Sequence, residues 1–422
     1  MSEIQQTQIF ESRNLSSLTT ALRAFGDRLS RRLWLLQGEA VCAEARRRTG
    51  LEDFGDPSLE PALSALVNSL EAEADLHPLG RFLMRLHLME LLETRLRLTQ
   101  AWSGRLEALE ASVIQRPIFI TGMPRSASSF LHELLAQDPE NRVPRVWEVM
   151  FPVPRGDGEP GNKVDPRVRE AEAALWWFRR LVPGVDSVYP LRARTPHECV
   201  AIHSYTLLSE EFVSTCYLPT YEAFLHMADL TPVYRWQRRF LQYLQLGCSN
   251  TRWVLKSPDH VYGLDKLLAV FPDAQIIQIH RHPVEVLRSQ IQLTKVLAKL
   301  FARPEEPDQL KKREARKIEE IVNCITRFRD AYPKLAGQFI DVNYSELVSD
   351  PLAVVRRIYQ KLDIQMTRVA TERMQRMALS RSRYRSHDTG TTLAHPRLDG
   401  AADTYRFEGY CSRFGIAWQR SE

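Results

Sequence analysis

Residues 118–135, IFITGMPRSASSFLHELL, decide the fold of this chain. The segment opens with a short run of β-branched and aromatic residues, which is typical of a buried strand, and it continues into a helical pattern that begins at Ser129. A turn from a strand into a helix directs unpaired backbone N–H groups and the positive end of the helix dipole at one point. The segment therefore predicts a strand, an anion-binding loop and a helix.

The loop also supplies side chains that suit a phosphate or a sulfate. Ser126, Ser128 and Ser129 provide hydroxyl donors, and Arg125 adds a permanent cation with a planar fork of N–H groups. The loop is not a Walker A sequence, because it has no lysine and the first lysine of the chain is Lys163. A serine-capped helix after a buried strand would have the same letters without a ligand, so the loop alone leaves both interpretations open.

Three further segments predict strands that each precede a helix, namely residues 252–255, 274–279 and 338–342. Strands that alternate with helices form βαβ units, so we predict an α/β fold with a parallel sheet flanked by helices and a P-loop-like phosphate-binding loop. Before residue 115 the apolar positions follow a helical period instead. We therefore predict a helical N-terminal extension over residues 1–114 and an α/β domain over residues 115–422.

A second cation and a second hydroxyl follow the strand predicted at residues 274–279. Arg281 comes directly after this strand, and Ser289 lies eight residues later, two turns into the next helix. Ligands of such sheets bind at the carboxyl ends of the strands, so Arg281 should lie at the same edge as Arg125. The pair indicates a second phosphate on the same ligand, although a salt-bridged loop arginine would need no ligand.

The composition is that of an ordinary globular protein, with 44% hydrophobic and 26% charged residues. The formal net charge of +5 is too small an excess to indicate a nucleic-acid partner. The six cysteines are dispersed without a CxxC pair, which predicts reduced thiols, a cytoplasmic location and no metal site. The chain opens without a signal-peptide pattern, and no stretch approaches the ~18 apolar residues of a membrane span, so no transmembrane segment is predicted.

In these motifs the chain resembles the sulfotransferases that use 3'-phosphoadenosine 5'-phosphosulfate (PAPS), particularly their bacterial branch. The 5'-phosphosulfate loop of that family reads PRSGTT or PKSGTT, which residues 124–129 resemble. Its 3'-phosphate element has Arg and Ser eight residues apart, as Arg281 and Ser289 are here. Residues 255–258 and 343–347 are similar to two more family elements, in the same order. The resemblance implies a bacterial transferase that moves a sulfuryl group from PAPS to a hydroxyl or an amine.

The resemblance also implies a role for each matching residue. Arg125 would stabilise the charge on the departing phosphate, Lys256 would help to bind the transferring sulfuryl group, and no metal would take part. The residues that would bind the cofactor are Arg125, Ser126, Ala127, Ser128, Ser129, Phe130, Arg281, Ser289 and Tyr344. Ala127 stands where the family has glycine. If the loop needs a positive φ at this position, alanine lowers the stability of the loop by about 1 kcal/mol relative to glycine.

The acceptor hydroxyl needs a general base, and four residues are candidates. Glu148 is the first choice, because it follows the phosphate-loop helix closely and some family members carry a catalytic Glu there. His260 is the second choice, and His203 and Glu198 are weaker ones. Each also has a structural interpretation, either as a carboxylate on a helix surface or as a hydrogen-bonded core histidine.

The sequence does not identify the acceptor. Aromatic residues favour an apolar small molecule or a lipid, although aromatics at helical spacing belong more often to a core. The residues expected in the wall of its site are Trp176, Trp177, Phe178 and Tyr205. A phosphate-loop kinase and a non-catalytic nucleotide-binding or scaffolding protein remain alternative functions, and the missing loop lysine counts against the kinase. The N-terminal helices offer a surface for a homo-oligomer.

Overall fold

A five-stranded parallel sheet organises the fold of the computed structural model. The structure describes residues 26–154, 165–188, 190–248, 252–385 and 407–417. The strands are β1 (Ile118–Gly122), β2 (Asn141–Arg142), β3 (Arg252–Lys256), β4 (Gln275–His280) and β5 (Phe339–Asn343). They lie in the order β2-β3-β1-β4-β5, so β1 occupies the centre of the sheet. The α/β fold with a parallel sheet flanked by helices is thereby confirmed.

Helices surround this sheet and connect its strands. In chain order they are α1 (Gly38–Thr49), α2 (Leu59–Ala72), α3 (Pro78–Ser103), α4 (Leu106–Ala111), α5 (Ser128–Leu135), α6 (Val146–Met150), α7 (Pro166–Leu181), α8 (Val185–Val188), α9 (Cys199–His203), α10 (Glu211–Thr215), α11 (Pro219–Met227), α12 (Thr231–Gln245), α13 (Leu264–Val270), α14 (Pro283–Ala298), α15 (Pro307–Ala331), α16 (Tyr344–Ser349), α17 (Pro351–Lys361), α18 (Arg368–Arg385) and α19 (Glu408–Arg413). Residues 26–33 are also helical, and short 3₁₀ turns occur at Ser204–Thr206, Pro258–Tyr262 and Pro333–Gln338.

The central strands are buried on both faces, which explains their nearly continuous apolar sequence. Every residue of β1 is buried, and the register pairs Phe119 with Leu255 on one side and with Ile276 on the other. Gly122 ends β1 with a φ of 120°, and a Cβ there would lie 2.3 Å from the backbone oxygen of Ile279. Only glycine therefore lets the chain leave the sheet at this point and enter the loop.

The N-terminal helices do not form a core of their own. Buried side chains of α1, α2 and α3 belong to the same apolar cluster as side chains of α9 to α12. Arg95 of α3 crosses this boundary, since its guanidinium donates to the backbone oxygen of Tyr205 at 2.7 Å and stacks on Trp236. The extension predicted for residues 1–114 is helical where it is described, while residues 1–25 lie outside the described residues. The domain boundary at residue 114 stays a prediction.

No helix among the described residues is both long and apolar enough to cross a membrane.

Candidate functional site

The loop between β1 and α5 turns through two residues in the left-handed region. The φ angle is 56° at Arg125 and 63° at Ala127. Ser126, between them, is fully buried, and its hydroxyl donates to the backbone oxygen of Met123 at 2.5 Å. Consecutive residues in such a turn expose their backbone N–H groups to one side, which forms a concave anion site. Ala127 therefore adopts a positive φ at the position where the family has glycine.

Ala127→Gly should raise the free energy of unfolding by up to about 1 kcal/mol, because glycine removes the strain of a Cβ at positive φ. Ala136 ends α5 with a φ of −67°, where a Cβ costs nothing. Ala136→Gly should therefore lower the same free energy by about 0.5–1 kcal/mol. Urea denaturation followed by circular dichroism measures both changes. An equal loss of stability in the two variants would contradict a strained loop.

Arg281 follows β4 directly, and its side chain contacts the phosphate loop. Its Nη1 donates to the backbone oxygen of Arg125 at 2.5 Å, and its guanidinium lies 4.0 Å from the ring centre of Tyr344. Its Nε also pairs with Glu285 at 3.1 Å. Tyr344 follows β5 directly, so the carboxyl ends of β1, β4 and β5 bring these groups to one edge of the sheet.

Arg125 and Arg281 form a cationic pair at this edge. The Nε of Arg125 donates to the hydroxyl of Ser289 on α14 at 3.0 Å, which ties the loop to the second predicted phosphate element. Burial and then the positive charge of Arg281 lower the pKa of Arg125, although an arginine stays protonated in a protein. Two neighbouring guanidinium groups repel each other, so a bound polyanion would stabilise the pair. These residues fit a ligand with more than one phosphate group.

Lys256 connects the loop to a carboxylate on the opposite side. It is the last residue of β3, and its side chain is only 2% exposed. Its Nζ donates to the hydroxyl of Ser129 at 3.0 Å and forms an ion pair with Glu198, the residue that precedes α9. From the sequence Glu198 is only one of the weaker candidates, because no local pattern indicates that its carboxylate meets Lys256.

Glu148 lies at a helix start instead of beside the loop. Its carboxylate pairs with Arg142 at 2.6 Å and accepts a hydrogen bond from the backbone N–H of Arg145 at 2.9 Å, which caps α6. Both oxygens are engaged in these contacts, because Arg142 binds them in a bidentate manner. The geometry therefore favours the structural interpretation of Glu148 over a role as base.

His260 is a core residue. Its ring is fully buried and meets the ring of Phe119 edge-on at 5.1 Å, while Nδ1 lies 3.2 Å from the hydroxyl of Tyr234. Its Nε2 has no hydrogen-bond partner among the described residues. Burial holds the pKa of His260 well below its usual range, so the ring is neutral. His203 is also buried, with its Nε2 2.8 Å from Gln237. Both histidines fit the structural interpretation.

The aromatic residues expected in an acceptor wall differ in their exposure to solvent. Trp176 and Trp177 are 44% and 62% exposed near the end of α7, and Phe178 follows them there. Tyr205 is instead buried in the cluster shared with the N-terminal helices, where its hydroxyl donates to the backbone oxygen of Val149 at 2.6 Å. The acceptor wall stays a prediction, because helical spacing alone does not tell which helix face meets the site.

The described residues contain no cluster of three or more His, Cys, Asp or Glu side chains that would hold a metal ion. A parallel sheet whose central strand runs into an anion-binding loop, with cations at its carboxyl edge, defines the class of α/β phosphate-binding proteins. Within that class, residues 117–368 match the sequence profile of the Sulfotransferase family. The match covers more than half of the chain, and the protein therefore belongs to this family.

Mycobacterial proteins are similar to this chain in sequence and in structure. Omega-hydroxy-beta-dihydromenaquinone-9 sulfotransferase Stf3 of Mycobacterium bovis is 25% identical over 276 residues, and the match spans 60% of this chain and 64% of that protein, less than two thirds of its length. The crystal structure of sulfotransferase STF1 from Mycobacterium tuberculosis has a TM-score of 0.76 and 28% identity, over 88% of this chain and 98% of that one. Sulfotransferase STF9 from Mycobacterium avium also has a TM-score of 0.76, with 26% identity over 90% and 97% of the two chains.

Proposed function

We propose that this protein is a sulfotransferase that moves the sulfuryl group of PAPS to a hydroxyl group of a small molecule or lipid. The proposal rests on one observation: Arg125 and Arg281 meet at the loop after β1. The backbone N–H groups of this strained turn and the two guanidinium groups together form a site for an anion. Membership of the Sulfotransferase family supports it. The name of the relative Stf3 gives a hydroxylated menaquinone derivative, which supports a hydroxyl acceptor.

Two parts of the site would bind the 5'-phosphosulfate and the 3'-phosphate of the donor. The turn at residues 124–129, with the hydroxyl groups of Ser128 and Ser129, would hold the 5'-phosphosulfate. Arg281 and Ser289 would hold the 3'-phosphate, and the rings of Phe130 and Tyr344 would flank the nucleoside. The stack of Arg281 on Tyr344 supports this arrangement, since it fixes the direction of the guanidinium.

Three residues would act during the transfer. When bound, PAPS supplies a sulfuryl group on a good leaving phosphate. The acceptor oxygen forms its bond to sulfur while the bond from sulfur to the bridging phosphate oxygen breaks, and that oxygen keeps the electron pair. Arg125 and Lys256 would stabilise the charge on the departing phosphate and the sulfuryl oxygens. Glu198 is the best-supported base, because its carboxylate contacts Lys256 beside Ser129 and would take the proton of the acceptor hydroxyl.

The donor can be tested without knowledge of the acceptor. The desulfated product, 3'-phosphoadenosine 5'-phosphate (PAP), should bind the wild-type protein in a calorimetric titration at least about tenfold more tightly than ATP or AMP, since only PAP presents both phosphate ends. Equal affinity for ATP would favour a phosphate-loop kinase, and the absence of PAP binding would refute the proposal. A cytoplasmic location and a homo-oligomer through the N-terminal helices stay predictions.

A further inference from the structure

A cavity of about 340 Å³ is lined by Asp259, whose carboxyl group is close enough to Glu198 and Lys256 for both charges to act on its pKa. Two chain segments lead from that pair into its wall. Asp259 follows Lys256 by three residues, and His203 lies at the end of α9, which begins directly after Glu198. The rest of the wall comes from α11, α12, α13, α15 and the turn before α10, and the phosphate loop takes no part in it. If the proposed function holds, this cavity is on the acceptor side of the transfer.

The charges around the cavity do not balance. Two of its carboxylates are already neutralised, because Asp265 pairs with Lys266 at 3.1 Å and Glu320 pairs with Arg327 at 2.6 Å. The other lining carboxylates belong to Glu210 and Asp259, and among the described residues no lysine or arginine of the wall remains for them, although His226 and His203 also line the cavity. The cavity wall therefore has two more carboxyl groups than lysine and arginine side chains.

Glu210 and Asp259 have few partners in the protein. Asp259 accepts one hydrogen bond, from the hydroxyl of Ser257 at 3.0 Å, and no described residue donates a hydrogen bond to the carboxylate of Glu210. The positive charge of Lys317 reaches both groups, but its Nζ is bound to the backbone oxygen of Val213 at 2.9 Å and lies 3.6 Å from Glu222. Both carboxyl groups are thus left to a ligand in the cavity.

Their surroundings oppose ionisation. Burial raises the pKa of Glu210 to about 8 and that of Asp259 to about 6. The negative charge of Asp259 raises the pKa of Glu210 further, and the negative charge of Glu198 raises that of Asp259. A cation in the cavity would favour the ionised carboxylates and so lower both pKa values, and its binding should therefore release protons and become tighter as the pH rises through the pKa of Glu210. An apolar ligand would instead leave two polar groups without partners.

We propose that the cavity binds a cationic nitrogen of the acceptor, with Glu210 and Asp259 as its anionic partners. The acceptor is then an amino alcohol with a short apolar body. Its hydroxyl points toward Lys256 and Glu198, and its hydrocarbon part packs on lining residues such as Leu225. This inference rests on the proposed function, and it narrows the acceptor to a class that neither the family nor its relatives specify.

Three probes of almost equal size and different charge test the cavity directly. Benzylammonium, benzyl alcohol and benzoate are titrated by calorimetry into the full chain at neutral pH. Benzylammonium should bind at least about tenfold more tightly than benzyl alcohol, because water screens the attraction between its charge and the carboxylates only weakly in the cavity, and benzoate should show no binding. Glu210→Gln should remove the preference for the ammonium. Glu107→Gln, on the exposed face of α4, should keep it.

The outcomes separate this inference from the proposed function. Equal or tighter binding of benzyl alcohol, an ammonium preference that survives Glu210→Gln, or no binding of any probe would each overturn the cavity inference. Asp259→Asn replaces Glu210→Gln if circular dichroism shows that the latter is unfolded. PAP is titrated into the same proteins: if PAP binds but the ammonium preference is missing, only the cavity inference fails, whereas a lack of PAP binding refutes the sulfotransferase proposal itself.

Discussion

Arg281→Ala should weaken the binding of PAP by roughly 10- to 100-fold and leave the binding of AMP almost unchanged. The physical reason is that a charge-assisted bond from a guanidinium to a phosphate contributes about 1.5–3 kcal/mol, and only PAP has the 3'-phosphate. Arg281 also donates to the backbone oxygen of Arg125, so its loss could loosen the loop. AMP reports on that second effect, because it needs the loop but not the 3'-phosphate element. Calorimetric titration of both nucleotides measures the difference.

Arg288→Ala is the matched control for this experiment. Arg288 lies on the same helix as Ser289, one residue away, with an exposed side chain, so its removal changes the net charge by the same amount. It should alter the affinity for PAP by less than about threefold, as expected for a solvent-screened charge. Arg281→Lys should recover only part of the affinity, because an ammonium lacks the fork of the guanidinium. Equal losses for PAP and AMP in Arg281→Ala would mean that Arg281 only supports the loop.

Lys256→Met should lower kcat by about 10²–10³-fold while the affinity for PAP changes by less than about threefold. Lys256 is buried between Ser129 and Glu198, so its charge acts where water screens it little. The reaction can be followed as the release of PAP from PAPS, with water in place of the acceptor. A fall in PAP affinity as large as the fall in kcat would assign Lys256 to donor binding alone.

The double variant Lys256→Met/Glu198→Gln separates catalysis from folding. Lys256→Met leaves the carboxylate of Glu198 without its partner, which should cost about 3 kcal/mol of unfolding free energy. The double variant should recover most of that stability and none of the rate. Lys334→Met removes an exposed lysine on the 3₁₀ turn before β5, outside both the phosphate loop and the cavity, and it should change neither quantity. Recovery of kcat in the double variant would contradict direct roles for both Lys256 and Glu198.

The sequence patterns that predicted the sheet were local ones. Four strands were predicted within one residue of each observed bound, because a buried parallel strand is a continuous apolar run that needs no information from elsewhere in the chain. The fifth strand, β2, has only two residues, and it exists because Asn141 and Arg142 pair with β3. A strand of that length has no periodicity of its own, so the sequence could not predict it.

The site was harder to predict where its contacts join distant segments. Glu148 follows the phosphate-loop helix as a catalytic Glu might, but Arg142 and the backbone of Arg145 bind its carboxylate. Lys256 and Glu198 are 58 residues apart, and their pairing follows only from the positions of β3 and α9.

Charged segments gave a similar difficulty. Residues 304–319 are rich in charged side chains, yet Arg313 on α15 is buried and pairs with Glu305 at 2.6 Å and with Glu314 at 3.0 Å. Composition predicts exposure for such a segment, because charges are costly to bury alone. It does not reveal that opposite charges will meet inside the protein, since that depends on how the helices pack.

The loop proposed to bind the donor and the cavity proposed to bind the acceptor are built on different parts of the fold. The phosphate loop and its arginines lie at the ends of strands, where Gly122 and the central register leave little room for change. The cavity is lined chiefly by helices, and α11 and α12 pack in turn on the N-terminal helices. Mutation and selection can therefore act on one half without disturbing the other. Related enzymes could therefore evolve to accept different acceptors while they keep the same donor. Protein engineering could change acceptor specificity in the same way, by substitutions in the helices that line the cavity.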